Sequence, residues 1–353
     1  MGISLVIIPA QGLSLFLNLF RGVSVPPFAL FSLGLILDAL LALAAIRWLA
    51  PRGWMDVPGP RKEHGRAVPR TGGIALWATM CLGQIFGWLK LPINPPEWIC
   101  LHGLALMGLL DDHKSLSPRV KALVGLGLAF TLAIPMALAY SADRSAVVLM
   151  GFYLPTAFPF LYTLPLLVLW FWALPQSYNL IDGMDGLASG LAMIVLLSLQ
   201  MGMRTGHGVF LLGVLLSTFA LNWPRARHFL GDSGAYFLGG LLGLLALKTK
   251  ALIYPSHALW IFAYPILDTA LVVATRVANR KPLGMGDRNH FHHHWGRLLG
   301  KHSAWAVPIL WLQGCALATR PLHFRGSEYI AWTALVLVLG QGCYFFFLAR
   351  RRR

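Results

Sequence analysis

Seven of the 13 acidic residues in this chain fall in five short polar clusters that separate long apolar stretches. Carboxylates are costly near a membrane, so a chain this apolar is expected to keep them only where they have a task. The clusters also carry Gly, Asn, His and Arg. They are GLLDDHKSLSP (108–118), NLIDGMDGLASG (179–190), FLGDSGAYFLGG (229–240), PILDTALVVATR (265–276) and GDRNHFHHHW (286–295). Together they predict one site, assembled from several loops, that binds a metal ion and phosphate groups.

Two of the clusters offer carboxylates at the ends of apolar stretches. Asp111 and Asp112 are adjacent, and two neighbouring acids either share a cation or raise the pKa of one of them. A solvated loop start is the alternative. The GDSG sequence at 231–234 stands just before a predicted helix, where backbone N–H groups bind phosphate and Asp232 is free for a metal.

The NLIDGMDG sequence supplies only oxygen ligands. Asn179, Asp182 and Asp185 recur every three residues, and the glycines between them favour a tight turn over a helix. Oxygen ligands of this kind suit Mg²⁺ or Mn²⁺ and not Zn²⁺.

The histidine cluster raises the question of zinc. His290, His292, His293 and His294 stand almost side by side, but adjacent histidines give poor ring geometry and no Cys or carboxylate has suitable spacing. Arg288 shares the segment, so phosphate contacts by His and Arg are the preferred interpretation. Zinc and a merely solvated loop are the alternatives. We expect an exposed polar loop that contributes little to packing.

A basic cluster precedes the second apolar stretch. It contains Arg61, Lys62, His64 and Arg70 and is followed by two glycines at 72–73. Phosphate binding and simple anchoring at the membrane surface both explain it.

The composition predicts a membrane protein. Hydrophobic residues make up 57% of the chain and charged residues 12%, about half the charged fraction of a soluble domain. The apolar runs are continuous and approach the roughly 20 residues that span a bilayer. The expected fold class is all-α, a polytopic bundle of about eleven transmembrane helices. The spans are placed near 28–50, 72–91, 96–110, 121–140, 160–177, 187–202, 208–222, 235–249, 252–276, 303–318 and 328–348.

The distribution of Lys and Arg predicts the orientation. With this set of spans, 21 of the 29 basic residues fall on one side, which is therefore cytosolic, with the N-terminus out and the C-terminus in. All the polar clusters lie on the same side. The formal charge of +16 then serves contact with inner-membrane lipids. Nucleic acid is excluded as a partner because the chain has no basic, aromatic-interleaved soluble module.

We expect a single integral membrane domain over 28–353, preceded by an extension, 1–27, of unclear role. The four cysteines lie within or beside apolar spans and show no metal-ligand spacing, so no disulfide framework is predicted.

Carboxylates, basic groups and an entrance at the inner membrane surface suit a reaction between two phosphorylated partners. Each close pair of like charges costs about 4 kcal/mol at an effective dielectric constant of 20. A metal ion and Arg, Lys or His side chains neutralise that charge.

Six motifs carry a resemblance to a known family: RKEHGRAVPRTGG, DDHKSLSP, NLIDGMDGLASG, GDSGAYFLGG, PILDT and HFHHH. In that order, and across about 62–294, the chain resembles the polyprenyl-phosphate N-acetylhexosamine-1-phosphate transferases, glycosyltransferase family 4. It looks most like the bacterial enzymes that initiate O-antigen and related surface polysaccharides. The translocase type that uses UDP-MurNAc-pentapeptide is the alternative.

The resemblance implies transfer of N-acetylhexosamine-1-phosphate from a UDP-N-acetylhexosamine to undecaprenyl phosphate, with release of UMP. It implies Mg²⁺ as the cofactor, with Mn²⁺ as a substitute, and location in the bacterial inner membrane with a cytosolic active site. A homodimer is one option for assembly.

Residue roles follow from the same resemblance. Asp232 would bind the metal with Asn179 or Asp182 near it, and Asp111 would be the base or organiser for the lipid phosphate with Asp112 beside it.

The remaining roles concern the donor. Asp185 and Phe229 would lie near the uridine, and His290, His292 and His293 would contact the pyrophosphate or the sugar during catalysis. The further substrate-binding candidates are Lys62, His64, Arg70 and Arg288.

The sequence departs from the family pattern at few positions. Ala235 stands where Ser is common, and His294 and Trp295 stand where aliphatic residues are common; these changes bear on sugar choice. Two rival functions remain, a transporter and an inactive scaffold. A transporter would place acids in mid-span around a central cavity, whereas most of these lie at span ends.

Overall fold

The computed structural model of the chain is a bundle of α-helices. It describes residues 25–58, 66–142, 148–149, 152–153, 159–202, 208–248, 256–282, 284, 289–319 and 326–351. The α-helices in these residues are α1 (Pro27–Leu49), α2 (Gly72–Ile85), α3 (Pro95–His113), α4 (Pro118–Ala142), α5 (Pro159–Ile181), α6 (Leu187–Gly202), α7 (Val209–Asn222), α8 (Gly231–Lys248), α9 (Ser256–Ile261), α10 (Ala263–Ala278), α11 (Phe291–Leu299), α12 (Ala306–Ala318) and α13 (Ser327–Arg351). Short 3₁₀ helices occupy Ala50–Arg52 and Gly300–Trp305.

Strands are few and short. β1 (Met55–Asp56) pairs antiparallel with β2 (Val68–Pro69), and β3 (Val148–Leu149) pairs antiparallel with β4 (Phe152–Tyr153). The prediction of an all-α polytopic fold is therefore confirmed.

Each predicted span overlaps helix in the described residues, although α2 ends at Ile85, before the predicted end of the second span at residue 91. Within the described residues, four helical segments are long and apolar enough to cross a membrane: Pro27–Arg52, Pro118–Ser141, Phe160–Ile181 and Ser327–Ala349. The other segments are shorter or less apolar, and the ninth predicted span is divided between α9 and α10. The number of eleven crossings and the orientation stay predictions.

The outer helices carry large apolar side chains on their exposed faces. Leu40 on α1, Leu123 on α4 and Val336 on α13 are more than half exposed. Apolar surface of this kind is suited to lipid tails, which are as apolar as the side chains themselves.

Helix α8 lies at the centre of the bundle. Every side chain from Ser233 to Ala246 is buried. Gly239 packs against the backbone of α5 at Pro175, and Gly240 packs against Leu104 of α3. Because glycine has no side chain, neighbouring helices approach α8 closely, as is common for small residues in membrane bundles.

Helices α1 and α7 also cross at glycines. A Cβ added at Gly34 would collide with the Phe210 carbonyl oxygen, and one added at Gly213 would collide with the Phe31 carbonyl oxygen. Close to this crossing, the buried Asp38 of α1 accepts hydrogen bonds from Thr79 Oγ1 at 3.3 Å and Thr218 Oγ1 at 3.2 Å. Hydroxyl groups of α2 and α7 therefore satisfy the one acidic side chain within α1.

We predict that Gly213→Ala destabilises the protein by about 1–3 kcal/mol, because the new methyl group forces two packed backbones apart. The matched control is Gly127→Ala on the exposed face of α4, where a Cβ would meet nothing within 4 Å. That change should be neutral or slightly stabilising. The measurement is the thermal unfolding midpoint in detergent, and equal midpoints for the two variants would contradict the prediction.

Candidate active site

The first turn of α8 is held by a carboxylate from α3. Asp112 Oδ1 accepts a hydrogen bond from the Asp232 amide, and Asp112 Oδ2 accepts one from the Ser233 amide, both at 3.0 Å. The first amides of a helix have no partner within it, and a carboxylate there also interacts favourably with the helix dipole. The helix begins at Gly231, within the GDSG sequence and not after it. Asp112 therefore fixes where Asp232 stands.

Glycines bring three helices together at this point. A Cβ at Gly73 of α2 would collide with the Gly234 amide nitrogen, and one at Gly108 of α3 would collide with the Asp232 carbonyl oxygen. Gly231 has a φ of +72°, a conformation that glycine adopts without strain. The sequence had no signal for these contacts beyond the glycines themselves.

Asp111, Lys121 and Asp232 form a second group behind Asp112. Lys121 Nζ lies 2.7 Å from Asp111 Oδ2 and 3.6 Å from Asp232 Oδ2. Asp111 Oδ1 also accepts a hydrogen bond from the Leu116 amide at 2.6 Å. The connection between α3 and α4 therefore holds the ammonium group of Lys121 between the carboxylates of Asp111 and Asp232.

The pKa values of the two carboxyl groups in this group shift in opposite directions. Burial, the hydrogen bond with Asp111 and the charges of Asp112 and Asp111 raise the pKa of Asp232 well above its usual value. Burial alone would raise the pKa of Asp111, but hydrogen bonds from Asp232, Lys121 and the Leu116 amide outweigh it and lower that pKa. The two acids therefore differ in pKa, because Lys121 and the Leu116 amide stabilise the charge of Asp111.

Residues 182–186, the Asp182 turn, follow α5 as the glycine spacing predicted. Asp185 Oδ2 accepts a hydrogen bond from the Ala226 amide at 3.0 Å. Asn222 Oδ1 accepts one from the Gly186 amide at 2.6 Å. Burial and the charges of Asp112 and Asp185 raise the pKa of Asp182 to about 7. The turn is thus tied to the segment between α7 and α8, and it faces other acids.

The segment before α8 pairs with β2 and with the start of α2. The Phe229 amide donates to the Pro69 carbonyl at 2.8 Å, and the Gly72 amide donates back to the Phe229 carbonyl at 2.9 Å. Arg70 forms an ion pair with Asp56 of β1. Phe229 and Arg70 are thereby held near the start of α8, where Asp232 lies.

The histidine segment is largely buried, so the expectation of an exposed loop was wrong. His290 precedes α11, and His292 and His294 lie on it, each no more than 5% exposed. His294 stacks on Phe345 of α13 with ring centroids 4.3 Å apart. Helix α11 packs against α12 and α13 and contacts α10 through Phe291 and Tyr264, so side chains on more than one of its faces are buried.

His292 packs against the Asp182 turn. A Cβ at Gly183 would collide with His292 Nε2, so only glycine permits this approach. Burial, followed by the charges of His290 and His293, lowers the pKa of His292 well below its usual value. A neutral imidazole therefore supports the turn that carries Asp182 and Asp185.

These elements enclose a cavity of about 530 Å³. The predicted site residues that line it are Arg70, Asp112, Asp182, Asp185, Phe229, Asp232 and His293. Four other predicted residues are described but do not line it: Asn179, Asp111, His290 and His292. Lys62, His64 and Arg288 lie outside the described residues.

Several residues of the site were missed from the sequence. Asp56, Asn222 and Trp223 line the cavity, and Lys121 pairs with two of its acids. Lys121 had a detectable signal, because it is, with Arg119, a cation at the start of an apolar span. Asn222 had none, since its role depends on the contact with Gly186.

In the part of the chain that the structure describes, two groups of side chains could hold a metal ion. The first is the set of carboxylates Asp112, Asp182 and Asp232 that line the cavity, because carboxylate oxygens are the ligands that a hard divalent cation prefers. In the second, one ligand atom each from Asp268, His290 and His292 lies within 4.8 Å of the others. In that group, Asp268 already shares a hydrogen bond with His290.

The helical bundle and the carboxylate-lined cavity define a membrane protein with a polar, enzyme-like site. The sequence model of the family described as glycosyl transferase family 4 matches residues 97–250. That range includes the Asp111–Asp112 pair, the Asp182 turn and the start of α8.

Three relatives extend the match. A probable undecaprenyl-phosphate N-acetylglucosaminyl 1-phosphate transferase of Bacillus subtilis (strain 168) is 27% identical over 86% of this chain and 86% of its own length. The undecaprenyl-phosphate alpha-N-acetylglucosaminyl 1-phosphate transferase of Thermotoga maritima is 27% identical over 70% of this chain and 75% of its own length. The protein of the same description from Escherichia coli K12 is 27% identical over 81% of this chain and 81% of its own length. The resemblance carried by the motifs is thereby confirmed, and both comparisons support the polyprenyl-phosphate hexosamine-1-phosphate transferase family.

Proposed function

We propose that the chain transfers N-acetylhexosamine-1-phosphate from a UDP-sugar to undecaprenyl phosphate and releases UMP. One observation carries the proposal: a single cavity gathers Asp112, Asp182 and Asp232 together with Arg70 and His293. This is the set that a reaction between two phosphorylated partners needs. The names of the three relatives state undecaprenyl phosphate and N-acetylglucosaminyl 1-phosphate, which supports the same acceptor and transferred group here.

The bond changes are few. An oxygen of the lipid phosphate attacks the sugar-bearing β-phosphorus, and the bond from that phosphorus to the bridging oxygen of the α-phosphate breaks. UMP leaves with the electron pair, and the C–O bond at the anomeric carbon stays intact. The lipid phosphate is already mostly ionised near pH 7, so the protein's main task is to align the partners and neutralise their charge.

Asp232 and Asp182 are the proposed ligands of Mg²⁺, with Mn²⁺ as a substitute. When bound, the ion would screen the charge of the phosphate oxygens. Asp112 would act on it indirectly, because its oxygens hold the amides of Asp232 and Ser233. Asn179 does not line the cavity, and its place as a ligand stays a prediction.

The acceptor side is assigned to Asp111 and Lys121. Both oxygens of Asp111 accept hydrogen bonds, from the Leu116 amide and from Lys121. This makes Asp111 an organiser of Lys121 in our proposal, in preference to a base. Lys121 stands on the first helical turn of a membrane-spanning segment, the depth at which a lipid phosphate lies.

The donor side is assigned to Phe229 and Asp185 for the uridine and to His293 for the pyrophosphate. Asp185 Oδ2 holds the Ala226 amide, which leaves Oδ1 for the donor. His290 and His292 would act from behind His293, and Lys62, His64 and Arg288 remain predicted phosphate contacts.

The proposed setting is the cytosolic face of a bacterial inner membrane, with eleven crossings. The site residues stand at the ends of α3, α5 and α7 and at the start of α8. Alternating crossings put all these points on one face. The proposed product would serve the first membrane step of O-antigen or related surface-polysaccharide synthesis.

We predict that a cysteine at Ser115 is labelled only from the cytosolic side and one at Lys90 only from the opposite side. Both positions are exposed, and they flank α3 at its two ends. The test uses a membrane-impermeant maleimide on whole cells and on inverted vesicles. All four native cysteines are free and are first replaced by Ala. Labelling of the Ser115 position from outside would refute the proposed orientation.

We predict that Asp232→Asn and Asp182→Asn lower kcat by at least about 100-fold, since a lost metal ligand costs several kcal/mol of charge stabilisation. Chelation should stop UMP release, and added Mg²⁺ or Mn²⁺ should restore it. The control is Glu97→Gln, which removes a carboxylate paired with Lys248 at the other end of the bundle. Full activity in excess chelator would refute the metal assignment, and a transporter or inactive scaffold would release no UMP at all.

We predict that UDP-GlcNAc is the best donor, with the 6-deoxy sugars UDP-QuiNAc and UDP-FucNAc as competitors. Discrimination by one hydroxyl is worth about 1–3 kcal/mol per unmade contact. The assay measures UMP from purified protein, undecaprenyl phosphate and a panel of UDP-sugars. UDP-MurNAc-pentapeptide should be a poor donor. Efficient transfer from it alone would favour the translocase type and leave the reaction class standing.

A further inference from the structure

Asp268 is a buried carboxylate whose two oxygens are both committed. It lies on α10, is 0% exposed, and does not line the cavity. Its Oδ2 lies 2.6 Å from His290 Nδ1, and its Oδ1 accepts a hydrogen bond from the Phe291 amide at 2.6 Å. Burying a carboxylate is costly unless it is fully hydrogen-bonded, and here the start of α11 meets that need.

The contact decides the state of the His290 ring. A carboxylate accepts hydrogen bonds, so His290 Nδ1 carries the proton. Nε2 is then the nitrogen that remains available to other groups, because a hydrogen bond at one ring nitrogen sets the role of the other. The Phe291 bond satisfies one of the first amides of α11, which have no partner inside the helix. One carboxylate thus orients both the ring and the helix that follows it.

His290 leads to the cavity through a row of rings. Its ring is stacked on His292 with centroids 5.1 Å apart and an angle of 18° between the planes. The rings of His292 and His293 lie 4.2 Å apart. His293 lines the cavity, and His292 packs on Gly183 of the Asp182 turn. A change in the orientation of the His290 ring would therefore displace both His293 and the Asp182 turn, which line the cavity.

We propose that Asp268 is a positioning residue for the transfer reaction. It holds His290 protonated on Nδ1 and thereby fixes the row His290–His292–His293 against the Asp182 turn. This inference rests on the proposed function for its kinetic readout. The state of the His290 ring can be measured without any substrate.

The negative charge of Asp268 allows its role in orienting the His290 ring to be separated from a purely structural role. A neutral amide of the same shape still accepts from the Phe291 amide through its oxygen. Its nitrogen, however, is a donor and would face His290 Nδ1, so the imidazole would have to move its proton to Nε2. Bonds to a charged acceptor are also roughly twice as strong as neutral ones. Asp268→Asn therefore changes the ring state while it preserves the start of α11.

The kinetic test compares Asp268→Asn with Asp38→Asn. Asp38 is equally buried, but its hydrogen-bond partners are hydroxyl groups of α2 and α7, Thr79 and Thr218 among them, and not histidines. For Asp268→Asn we expect kcat to fall about 10–100-fold, the loss seen when a metal-bound histidine is deprived of the partner that orients it. KM for the donor should change less than about threefold in the same comparison. Asp38→Asn should keep near-wild-type kcat, and equal losses in both variants would overturn the proposal.

A double-mutant cycle tests whether Asp268 acts through His290. If it does, Asp268→Asn combined with His290→Gln should be no slower than His290→Gln alone. Residues that act independently give additive effects. Additive losses would show that Asp268 supports the fold by another route and would overturn the proposal.

Histidine-labelled protein in detergent provides a readout that needs neither activity nor stable turnover. We expect a strongly downfield Nδ1 proton resonance, typical of an imidazole bound to a carboxylate, that disappears in Asp268→Asn and in His290→Gln. Its absence from the wild type would overturn the proposal even if the variants fail to fold. Stoichiometric metal in the wild type that is lost in Asp268→Asn would also overturn it, in favour of a metal site. A wild type that releases no UMP refutes the transfer reaction, while the resonance still decides the role of Asp268.

Discussion

The two hydrogen bonds from the first amides of α8 to Asp112 are the contact on which the rest of the site depends. They join the end of α3 to the start of α8, and they place Asp232 beside Asp111 and Lys121. A helix start carries partial positive charge and free N–H groups, so a carboxylate is stable there even when largely buried. Gly73 and Gly108 permit the close approach of backbones that these bonds need, and Gly231 leaves room for the Asp112 carboxylate.

The second constraint is charge. Asp112, Asp182 and Asp232 meet in a partly enclosed cavity. Burial raises the pKa of all three, and the charges of neighbouring acids raise the pKa of Asp182 and Asp232 further. Lys121 offsets part of this repulsion from one side. Such a group is costly to keep in a protein of so few acids unless cations or phosphate partners make use of it. The free-energy cost of burying acidic side chains is therefore concentrated at the cavity.

Particular residues show how far the sequence alone could predict the site. The turn at 182–186 was predicted from its glycines. The convergence of Asp112, Asp182 and Asp232 was predicted from the distribution of Lys and Arg, which puts their three clusters on the same side of the membrane. The histidine segment was predicted wrongly as an exposed loop. Polar side chains signal exposure on average, but His290 is buried by Asp268 and His294 by Phe345. Those partners are 22 and 51 positions away in sequence, and no local pattern predicts such contacts.

The sequence by itself determined the all-α membrane class, the apolar segments and the residue types of the site, because hydrophobic length and side-chain chemistry are local properties. Only the tertiary structure decided which acid caps a helix, which pairs with Lys121 and which faces the cavity. It also decided that Asn179 stays outside the cavity and that Asp268 meets His290. These outcomes depend on how helices distant in sequence pack against one another, and packing geometry is set by the whole bundle.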